Sequence, residues 1–503
     1  MISTQSSRSL YESYRDRMRK IADVKNASNI LQWDQETYLP EKGAAFRGQQ
    51  LATISEIAHE LSTSSELGSL LEELNGRNDL TRQEKRNVEL SREDFLKQKK
   101  LSSAFVKKMS ETISRSFHAW VEARRKNDFG IFAPSLDELL QLKREEANFL
   151  GFEDHPYNAL LNDFEKGCTV SFLDDTFSGC SGPLKQLIDR IAGCPPINNQ
   201  FLAQYFSKQD QWDFGMKIIG KLGFDFSAGR QDISEHPFTT SFNNRDVRIT
   251  TRIDEHHFSG MLWSCIHETG HALYEQGLPE SEYGLPLGEY ASLGIHESQS
   301  RLWENCVGRS LAFWTHYYPE LQESFPEQLG PVSIHEFYRG INKVHPSLIR
   351  TEADELTYHF HVIIRYNIEK LLIEGNLPTR EIPECWNGLY KQYLDLDVPD
   401  DKRGCLQDIH WSHGSFGYFP TYSLGSFYAA QLFEKSILTN AEIEGGIKEG
   451  NTKPLLDFLR KSIYQYGRMY TSGELFAVIG KESLNINYFL KYVLTKYEDI
   501  YNL

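Results

Sequence analysis

The chain has 503 residues, of which 40% are hydrophobic and 13% aromatic, so a disordered or fibrous protein is excluded. Asp and Glu (70) outnumber Lys and Arg (54), and the formal net charge is -16. A surface that acidic repels phosphate backbones, so we expect no nucleic-acid partner. The chain has no apolar run of about 18 residues, so we expect no membrane span. Length alone allows about three domains.

The N-terminus and the cysteines indicate a reducing compartment. The first eight residues contain no apolar segment of the secretory kind. The 7 cysteines are an odd number and form no C-x-x-C pair, which argues against a disulfide framework and against a cysteine zinc site. We therefore expect a cytoplasmic protein.

The apolar periodicity predicts a mostly helical chain. In chain order, the segments with helical spacing are 46–61, 114–126, 136–142 and 368–373. The third should end before Gly151 and the fourth near Gly375.

One segment is typical of strands. Residues 238–242 and 246–253 are rich in β-branched side chains, and Asn243-Asn244 between them tolerates the positive φ of a tight turn. We expect a small β-hairpin there. Residues 277–294 and 404–425 are rich in Gly, Pro and aromatic residues, so we expect ordered loops that carry function.

His267-Glu268-Thr269-Gly270-His271 is an H-E-x-x-H motif. Residues four apart lie on one face of a helix, so His267 and His271 can direct two imidazoles at one metal ion. Glu268 lies about 100° around the helix, where it can reach a water molecule beside the metal without being a ligand. The pattern suits a zinc hydrolase. The alternative is a pair of surface histidines.

The flanks of the motif favour an anchored helix. An apolar stripe comprises Leu262, Cys265, Ile266, Thr269 and Leu273. We expect this stripe to be buried and Gly277 to cap the helix.

A catalytic zinc needs a third protein ligand and an open position. Glu297 lies on a predicted second helix, and we choose it as that ligand. The alternative for Glu297 is an ion pair with Arg301 at i+4. His296 should face away from the metal and support a ligand or contact substrate.

Further motifs accompany these residues, in the order His236-Pro237-Phe238, Asp246-x-Arg248-x-Thr250, His296-Glu297-Ser298-Gln299, Ile349-Arg350-Thr351-Glu352-Ala353-Asp354 and Gly404-x-x-Gln407-Asp408-x-His410-Trp411. With the H-E-x-x-H segment, this set resembles the carboxypeptidase Taq family of metallocarboxypeptidases. Trp33-Asp34-Gln35-Glu36-Thr37 is also similar to that family.

The resemblance implies a mostly all-α, single large helical body with a deep active-site groove and a small β-hairpin or sheet beside the metal site. It implies a homodimer, and one zinc ion per subunit that cobalt can replace. It also implies sequential release of amino acids from the free C-terminus of peptides, with broad specificity. We expect one domain over 1–503, with about 1–165 as a helical lid region and about 230–425 holding the catalytic motifs.

Within this scheme, Glu268 is the expected general base. Arg350 is the first candidate for the substrate carboxylate, because a guanidinium binds carboxylates in a bidentate manner. The alternative for Arg350 is a buried ion pair with Asp354 at i+4.

His410, Tyr418 and Tyr422 are candidates for stabilising the oxyanion of the intermediate, and Asp408 for orienting a histidine. Aromatic core packing is the alternative for the two tyrosines.

His236 is a candidate substrate contact or a turn residue held by Pro237. Asp246 and Arg248 belong to the predicted hairpin, which either pairs an extended peptide by strand addition or supports the metal helix. His256 and His257 should be ordinary helix-entry residues.

Two other functions share these features. An oligopeptide endopeptidase would use the same metal site, and a helical binding scaffold would hold a structural zinc with four protein ligands, usually including cysteine.

Overall fold

The computed structural model describes residues 6–503, and helices occur throughout this range. The first helices are α1 (Ser7–Thr37), α2 (Ala44–Ser62), α3 (Ser65–Asn75), α4 (Arg82–Lys99), α5 (Ser103–Lys126), α6 (Ala133–Leu150), α7 (Pro156–Phe164), α8 (Val170–Ala192) and α9 (Lys208–Leu222). The central helices are α10 (Phe258–Gly277), α11 (Leu293–Arg301), α12 (Leu311–Ser324), α13 (Pro326–Leu329), α14 (Ile334–Ile341), α15 (Tyr358–Glu374) and α16 (Ile382–Leu394). The last are α17 (Phe419–Thr439), α18 (Glu442–Lys448), α19 (Lys453–Ser462), α20 (Ser472–Gly480) and α21 (Asn487–Tyr501). The predicted fold class is confirmed.

The four predicted helical segments are confirmed as α2, α5, α6 and α15. Gly375 follows α15 with φ +84°, the left-handed conformation that glycine adopts at a helix end. In α2, however, Phe46 is 71% and Ile57 is 44% exposed, and only Ala58 is buried. The apolar stripe of α2 is therefore mostly not core, because this helix packs mainly against α1.

A three-stranded sheet contains the predicted hairpin. Strands β2 (Thr239–Asn243) and β3 (Asp246–Thr251) are antiparallel, and β1 (Gly229–Ile233) lies parallel to β3 on its other side. The sequence reasoning missed β1, which is polar and short. Val247 and Ile249 of β3 pack with Met261 and Cys265 of α10. The sheet thus supports α10 from one side.

The two predicted loops are partly helical. Residues 277–294 contain single turns at Glu280–Glu282 and Pro286–Gly288 before α11 begins. Residues 404–425 contain a turn at His410–His413, and α17 begins at Phe419. Tyr422 and Gly425 therefore lie on a helix, which differs from the prediction.

The main apolar core lies among the helices from α5 to α21. A second, smaller core belongs to α1, α3 and α4, and Leu285 is the residue of the main body that packs into it.

Between the N-terminal helices and the main body runs a groove of about 1730 Å³, and α10 lies along it. Among residues 6–503, no helix combines the length and apolar character that a membrane crossing requires.

One buried carboxyl, that of Glu369, ties α15 to two other parts of the core. It accepts hydrogen bonds from the Tyr157 hydroxyl, from Trp411 Nε1 at 2.8 Å and from the Gly417 amide at 2.9 Å. Burial raises the pKa of Glu369 from an ordinary 4.5 to about 7. At pH values between these two pKa values, Glu369 is therefore protonated in the folded chain but ionised in the unfolded chain.

We expect this proton to make the stability depend on pH. The contribution of Glu369 is fully present below about pH 4.5 and is lost as the pH rises through about 7. Glu369→Gln stays neutral and does not lose this contribution. Between about pH 5 and about pH 8, the free energy of unfolding of the wild type should therefore fall relative to that of the variant by up to roughly 3 kcal/mol. Urea unfolding at several pH values measures this difference. Glu384→Gln, at an exposed position of α16, should show none; parallel curves for Glu369→Gln and the wild type would contradict the expectation.

Candidate metal centre

The two histidines of the H-E-x-x-H motif and Glu297 come together on the wall of the groove. Glu297 Oε2 lies 3.7 Å from His267 Nε2 and 3.4 Å from His271 Nε2. The three possible ligand atoms all lie within 4.8 Å of one another. Among the described residues no fourth His, Cys, Asp or Glu joins this group, so a four-coordinate ion held by these three residues would keep one position for water or substrate.

The protonation states of His271 and Glu297 suit a divalent cation. Burial and the neighbouring His296 lower the pKa of His271 to about 3, so its imidazole is neutral and has a free lone pair. Burial acts to raise the pKa of Glu297, but the Arg301 guanidinium and His267 hold it well below its usual range, so it is a carboxylate. A neutral imidazole and a carboxylate are the forms that bind zinc, so the donor set fits that metal.

Glu297 uses its two oxygens differently. Oε2 faces the histidines, whereas Oε1 accepts a hydrogen bond of 2.7 Å from Arg301 Nε. The ion pair named as the alternative for Glu297 therefore exists together with the predicted convergence. The arginine fixes the rotamer of the carboxylate.

Glu304 supports His267 from behind. Its Oε2 lies 2.9 Å from His267 Nδ1, and both Arg301 and Arg309 contact the same carboxylate at 3.2 Å. Glu304 belongs to a π-helical segment, Leu302–Gly308, that continues α11 and is buried throughout. Such widened turns are frequent at functional sites, because they re-aim side chains.

Glu268 lies next to the three ligand-type residues and is 7% exposed. The Thr239 hydroxyl of β2 donates to Glu268 Oε2 at 2.6 Å. Burial raises the pKa of Glu268, while the nearby His267 and the hydrogen bond from Thr239 act in the opposite direction. The hairpin thus holds the carboxylate that the sequence reasoning named as a base.

Two glycines let the helices of the site approach closely. A Cβ on Gly270 of α10 would lie 2.6 Å from the backbone oxygen of Gln299 and from Cα of Ser300, both on α11. A Cβ on Gly425 of α17 would lie 2.4 Å from Cγ of Glu297. Glycine costs a helix interior about 1 kcal/mol relative to alanine. Close packing around Glu297 therefore explains why glycine occupies these two positions inside helices.

Gly277 also acts through packing. It is the last residue of α10, and the residue after it, Leu278, is extended rather than left-handed. A Cβ on Gly277 would lie 2.3 Å from the ring of Tyr464. The helix therefore ends at Gly277 as predicted, but the prediction that Gly277 acts as a glycine cap is wrong.

Arg350 is buried on the groove wall and does not pair with Asp354. Its Nε and NH2 both donate to Asp408 Oδ1, at 2.9 and 2.8 Å, and NH1 donates to the Tyr358 hydroxyl at 3.1 Å. Arg365 holds the other oxygen of Asp408 at 2.6 Å. Two guanidiniums thus share one carboxylate, and the cluster keeps an excess positive charge. The Asp354 alternative fails because Arg350–Glu352 is a 3₁₀ turn, and Asp354 Oδ1 instead accepts hydrogen bonds from the amides of Leu356 and Thr357, just before α15.

The predicted oxyanion residues are neighbours, but they are not equivalent. Tyr418 and Tyr422 line the groove, with ring centroids 5.2 Å apart. His410 Nε2 lies 3.1 Å from the Tyr422 hydroxyl, so His410 reaches the groove only through that tyrosine. Asp408 pairs with two arginines rather than orienting a histidine, which corrects that expectation.

The remaining predicted residues lie on or near the sheet. His236 is an exposed turn residue, and its carbonyl accepts a 2.6 Å hydrogen bond from the Ser234 hydroxyl. Asp246 and Arg248 pair with each other at 2.9 Å, and Arg248 also covers the Trp33 ring at 4.3 Å. Because β3 lies between β1 and β2, strand addition to β3 is excluded. The substrate contacts of these residues stay predictions.

The sequence reasoning missed three groups that contact the site. Thr239 directly follows the His236-Pro237-Phe238 motif, and this position could have identified it as a site residue. Glu275 lies at i+4 from His271, on the same helix face, and Glu304 lies seven residues after Glu297. Both spacings could have been read from the sequence.

A His-His-Glu group beside a buried glutamate, in a groove on a helical body, defines a metal-dependent hydrolase. The family model of the carboxypeptidase Taq (M32) metallopeptidases matches residues 13–497. Carboxypeptidase 1 of Bacillus subtilis is 37% identical over 491 residues, which are 97% of this chain and 98% of the relative. Thermostable carboxypeptidase 1 of Thermus thermophilus is 36% identical over 504 residues, covering 98% and 99%.

Solved structures agree with these relatives. The M32 carboxypeptidase from Deinococcus radiodurans has a TM-score of 0.97 at 37% identity, covering 98% of this chain and 100% of that chain. The chain therefore belongs to the carboxypeptidase Taq (M32) family of metallopeptidases, as the motif resemblance predicted.

The contact at Gly270 yields a direct test. In Gly270→Ala the new methyl group meets backbone that cannot rotate away, so α10 and α11 must separate. We expect the free energy of unfolding to fall by about 1–3 kcal/mol and divalent-metal affinity to fall with it. Urea unfolding and metal titration measure the two effects. In the control Gly388→Ala, on α16, an added Cβ meets nothing within 4 Å, so stability should stay the same or rise. Wild-type stability and affinity in Gly270→Ala would contradict the packing argument.

Proposed function

We propose that the protein is a cytoplasmic zinc carboxypeptidase that releases amino acids one at a time from the C-terminus of peptides, with broad specificity. The observation that carries the proposal is the convergence of His267, His271 and Glu297 beside Glu268, within the groove. These three residues would hold one zinc ion per subunit, and cobalt would be accepted as a substitute. Zinc, when bound, supplies an activated water and polarises the carbonyl of the scissile bond.

Glu268 acts as the general base in this proposal. Its carboxylate takes a proton from the attacking water and later passes it to the nitrogen of the leaving amino acid. Thr239 restricts the carboxylate to one orientation through its 2.6 Å hydrogen bond. The low exposure of Glu268 limits competing contacts with bulk water.

Glu268→Gln should therefore bind metal normally and lose turnover, with kcat lower by about 10²–10⁴-fold. Zinc content by atomic absorption and peptide hydrolysis are measured on the same sample. Glu384→Gln serves as the exposed control and should behave as the wild type. Near-normal turnover in Glu268→Gln would rule out this residue as the base.

Arg350 anchors the free carboxylate of the substrate. The two guanidiniums of Arg350 and Arg365 exceed the single charge of Asp408, and Arg350 lines the groove. An incoming carboxylate would balance the excess charge in a site that is largely shielded from water.

The wild type should therefore cleave a peptide acid faster than the matching C-terminal amide, by about 10²-fold or more. Arg350→Met should reduce this ratio toward one, mainly by losing activity on the acid. Asp408 is left with Arg365 in that variant, so a thermal melt reports whether the fold survives. Equal cleavage of acid and amide by the wild type would exclude carboxylate anchoring.

Tyr418 and Tyr422 supply the hydroxyl donors for the oxyanion of the intermediate. Burial lowers the pKa of His410 to about 3, so its ring is neutral. If Nε2 carries the proton and donates to the Tyr422 oxygen, the Tyr422 hydroxyl keeps its own proton for the oxyanion. His410 is then a positioning residue rather than a catalytic one.

An endopeptidase with the same metal site is the alternative. A timed digest separates the two: ladders shortened from the C-terminus support the proposal, and internal fragments support an endopeptidase. A structural-zinc scaffold is disfavoured because Cys265, near the motif, contacts Met261 and Gln231 in the core instead of the metal group. Chelation should abolish activity while the fold persists.

We also propose a single domain in which residues 1–165 include the lid of the groove, and a homodimer. The separate small core of α1, α3 and α4 supports a lid that keeps its own structure. The exposed Phe46 and Ile57 of α2 offer apolar surface that a second copy would cover. Sedimentation analysis of the wild type and of Phe46→Ser tests the dimer.

A further inference from the structure

His271 is linked to a carboxylate through a second imidazole. His271 Nδ1 lies 2.6 Å from Nδ1 of His296, and His296 Nε2 lies 2.9 Å from Oε1 of Glu275. The two rings stack, with centroids 4.5 Å apart and planes 30° from parallel. The side chains of all three residues are only 11–14% exposed. This chain of contacts lies on the far side of His271 from Glu297.

The proton positions in this chain follow from one condition. If Nε2 of His271 is the atom that faces the metal, its Nδ1 carries the proton and donates to His296. His296 Nδ1 is then an acceptor, so its proton lies on Nε2 and is donated to the Glu275 carboxylate. Each hydrogen bond has one donor and one acceptor, and no alternative tautomer satisfies both contacts.

We propose that His296 and Glu275 form a relay that fixes the tautomer and ring orientation of His271 and thereby raises metal affinity. The inference rests on the proposed zinc site. His267 has its carboxylate, Glu304, in direct contact, whereas His271 receives the same support one imidazole further away. Ligand histidines whose second nitrogen is held by a carboxylate are better oriented and more basic, and losing such a partner costs about 10–100-fold in metal affinity.

Two features of the fold keep the relay in place. Glu275 and His271 are one turn apart on α10, so they share a face, and His296 inserts from α11 between them in space. The Tyr290 ring meets His296 edge-on at 4.8 Å and closes the groove side. His296 is therefore clamped by rings on two sides and by hydrogen bonds at both nitrogens.

The test measures zinc affinity by competition with a chromophoric chelator, together with the melting temperature of the metal-free protein. Glu275→Gln keeps the shape and removes the charge, and should raise the Kd for zinc about 10-fold. His296→Phe keeps the stacked ring and removes both hydrogen bonds, and should raise it about 10–100-fold. Glu280→Gln, an exposed carboxylate paired with Arg245, is the matched control and should leave the Kd unchanged.

A double variant distinguishes a relay from two independent supports. Adding Glu275→Gln to His296→Phe should raise the Kd by less than about two-fold, because the relay is already broken. Full additivity overturns the relay, as does a wild-type Kd in Glu275→Gln. A lower melting temperature of the metal-free protein with unchanged zinc affinity would assign these residues to stability alone. A wild type that binds no zinc would overturn the proposed function and the relay with it, whereas tight wild-type binding that the variants leave unchanged would overturn the relay alone.

Discussion

The metal group depends on the contact between α10 and α11 at Gly270. Ligand atoms from two helices can meet within 4.8 Å only if the helix backbones nearly touch, and a side chain at this crossing would hold them apart. Gly425 likewise allows α17 to pack directly against Glu297. The interior is packed densely, so these contacts resist displacement. The orientation of every ligand-type residue follows from this three-helix junction.

Around that junction the buried charges are arranged so that each has a partner. Glu297 and Glu304 are paired with Arg301 and Arg309, and the imidazoles lie between them. In the neighbouring cluster the charges do not balance, because two arginines, Arg350 and Arg365, share the single carboxylate of Asp408. The His-His-Glu group is therefore suited to a cation and the Arg350 cluster to an anion. Under the proposed function, this separation of charge would orient a peptide by its terminus more strongly than surface charges would, because the medium has a low dielectric constant.

Local patterns predicted much of the molecule because they depend on neighbours in sequence. The spacing of His267 and His271, the buried stripe of α10 and the β2–β3 hairpin all follow from helical or strand periodicity. Contacts between distant segments could not be predicted in this way. Asp408 pairs with Arg350 and Arg365, and β1 joins β3, because the tertiary fold brings them together.

The errors have the same origin. The stripe of α2 has helical spacing, yet burial depends on whether another element covers it. Gly277 ends α10, but the reason is the ring of Tyr464, nearly two hundred residues later. Glu275, by contrast, was accessible to local reasoning, since it continues the face that carries His271.

The small second core has a consequence for how the molecule changes with temperature and over evolution. Since α1, α3 and α4 share an apolar core that takes only Leu285 from the main body, this wall of the groove is held to the rest largely by polar contacts, such as those of Asn87 with Glu282 and of Asp94 with Arg468. None of α1, α3 and α4 carries a residue of the His-His-Glu group, so substitutions in them can reshape the groove wall without replacing a ligand-type residue. Under the proposed function, substrate preference can therefore change through this wall while the chemistry stays constant. On heating, the wall should loosen before the three-helix junction does, because fewer apolar contacts hold it.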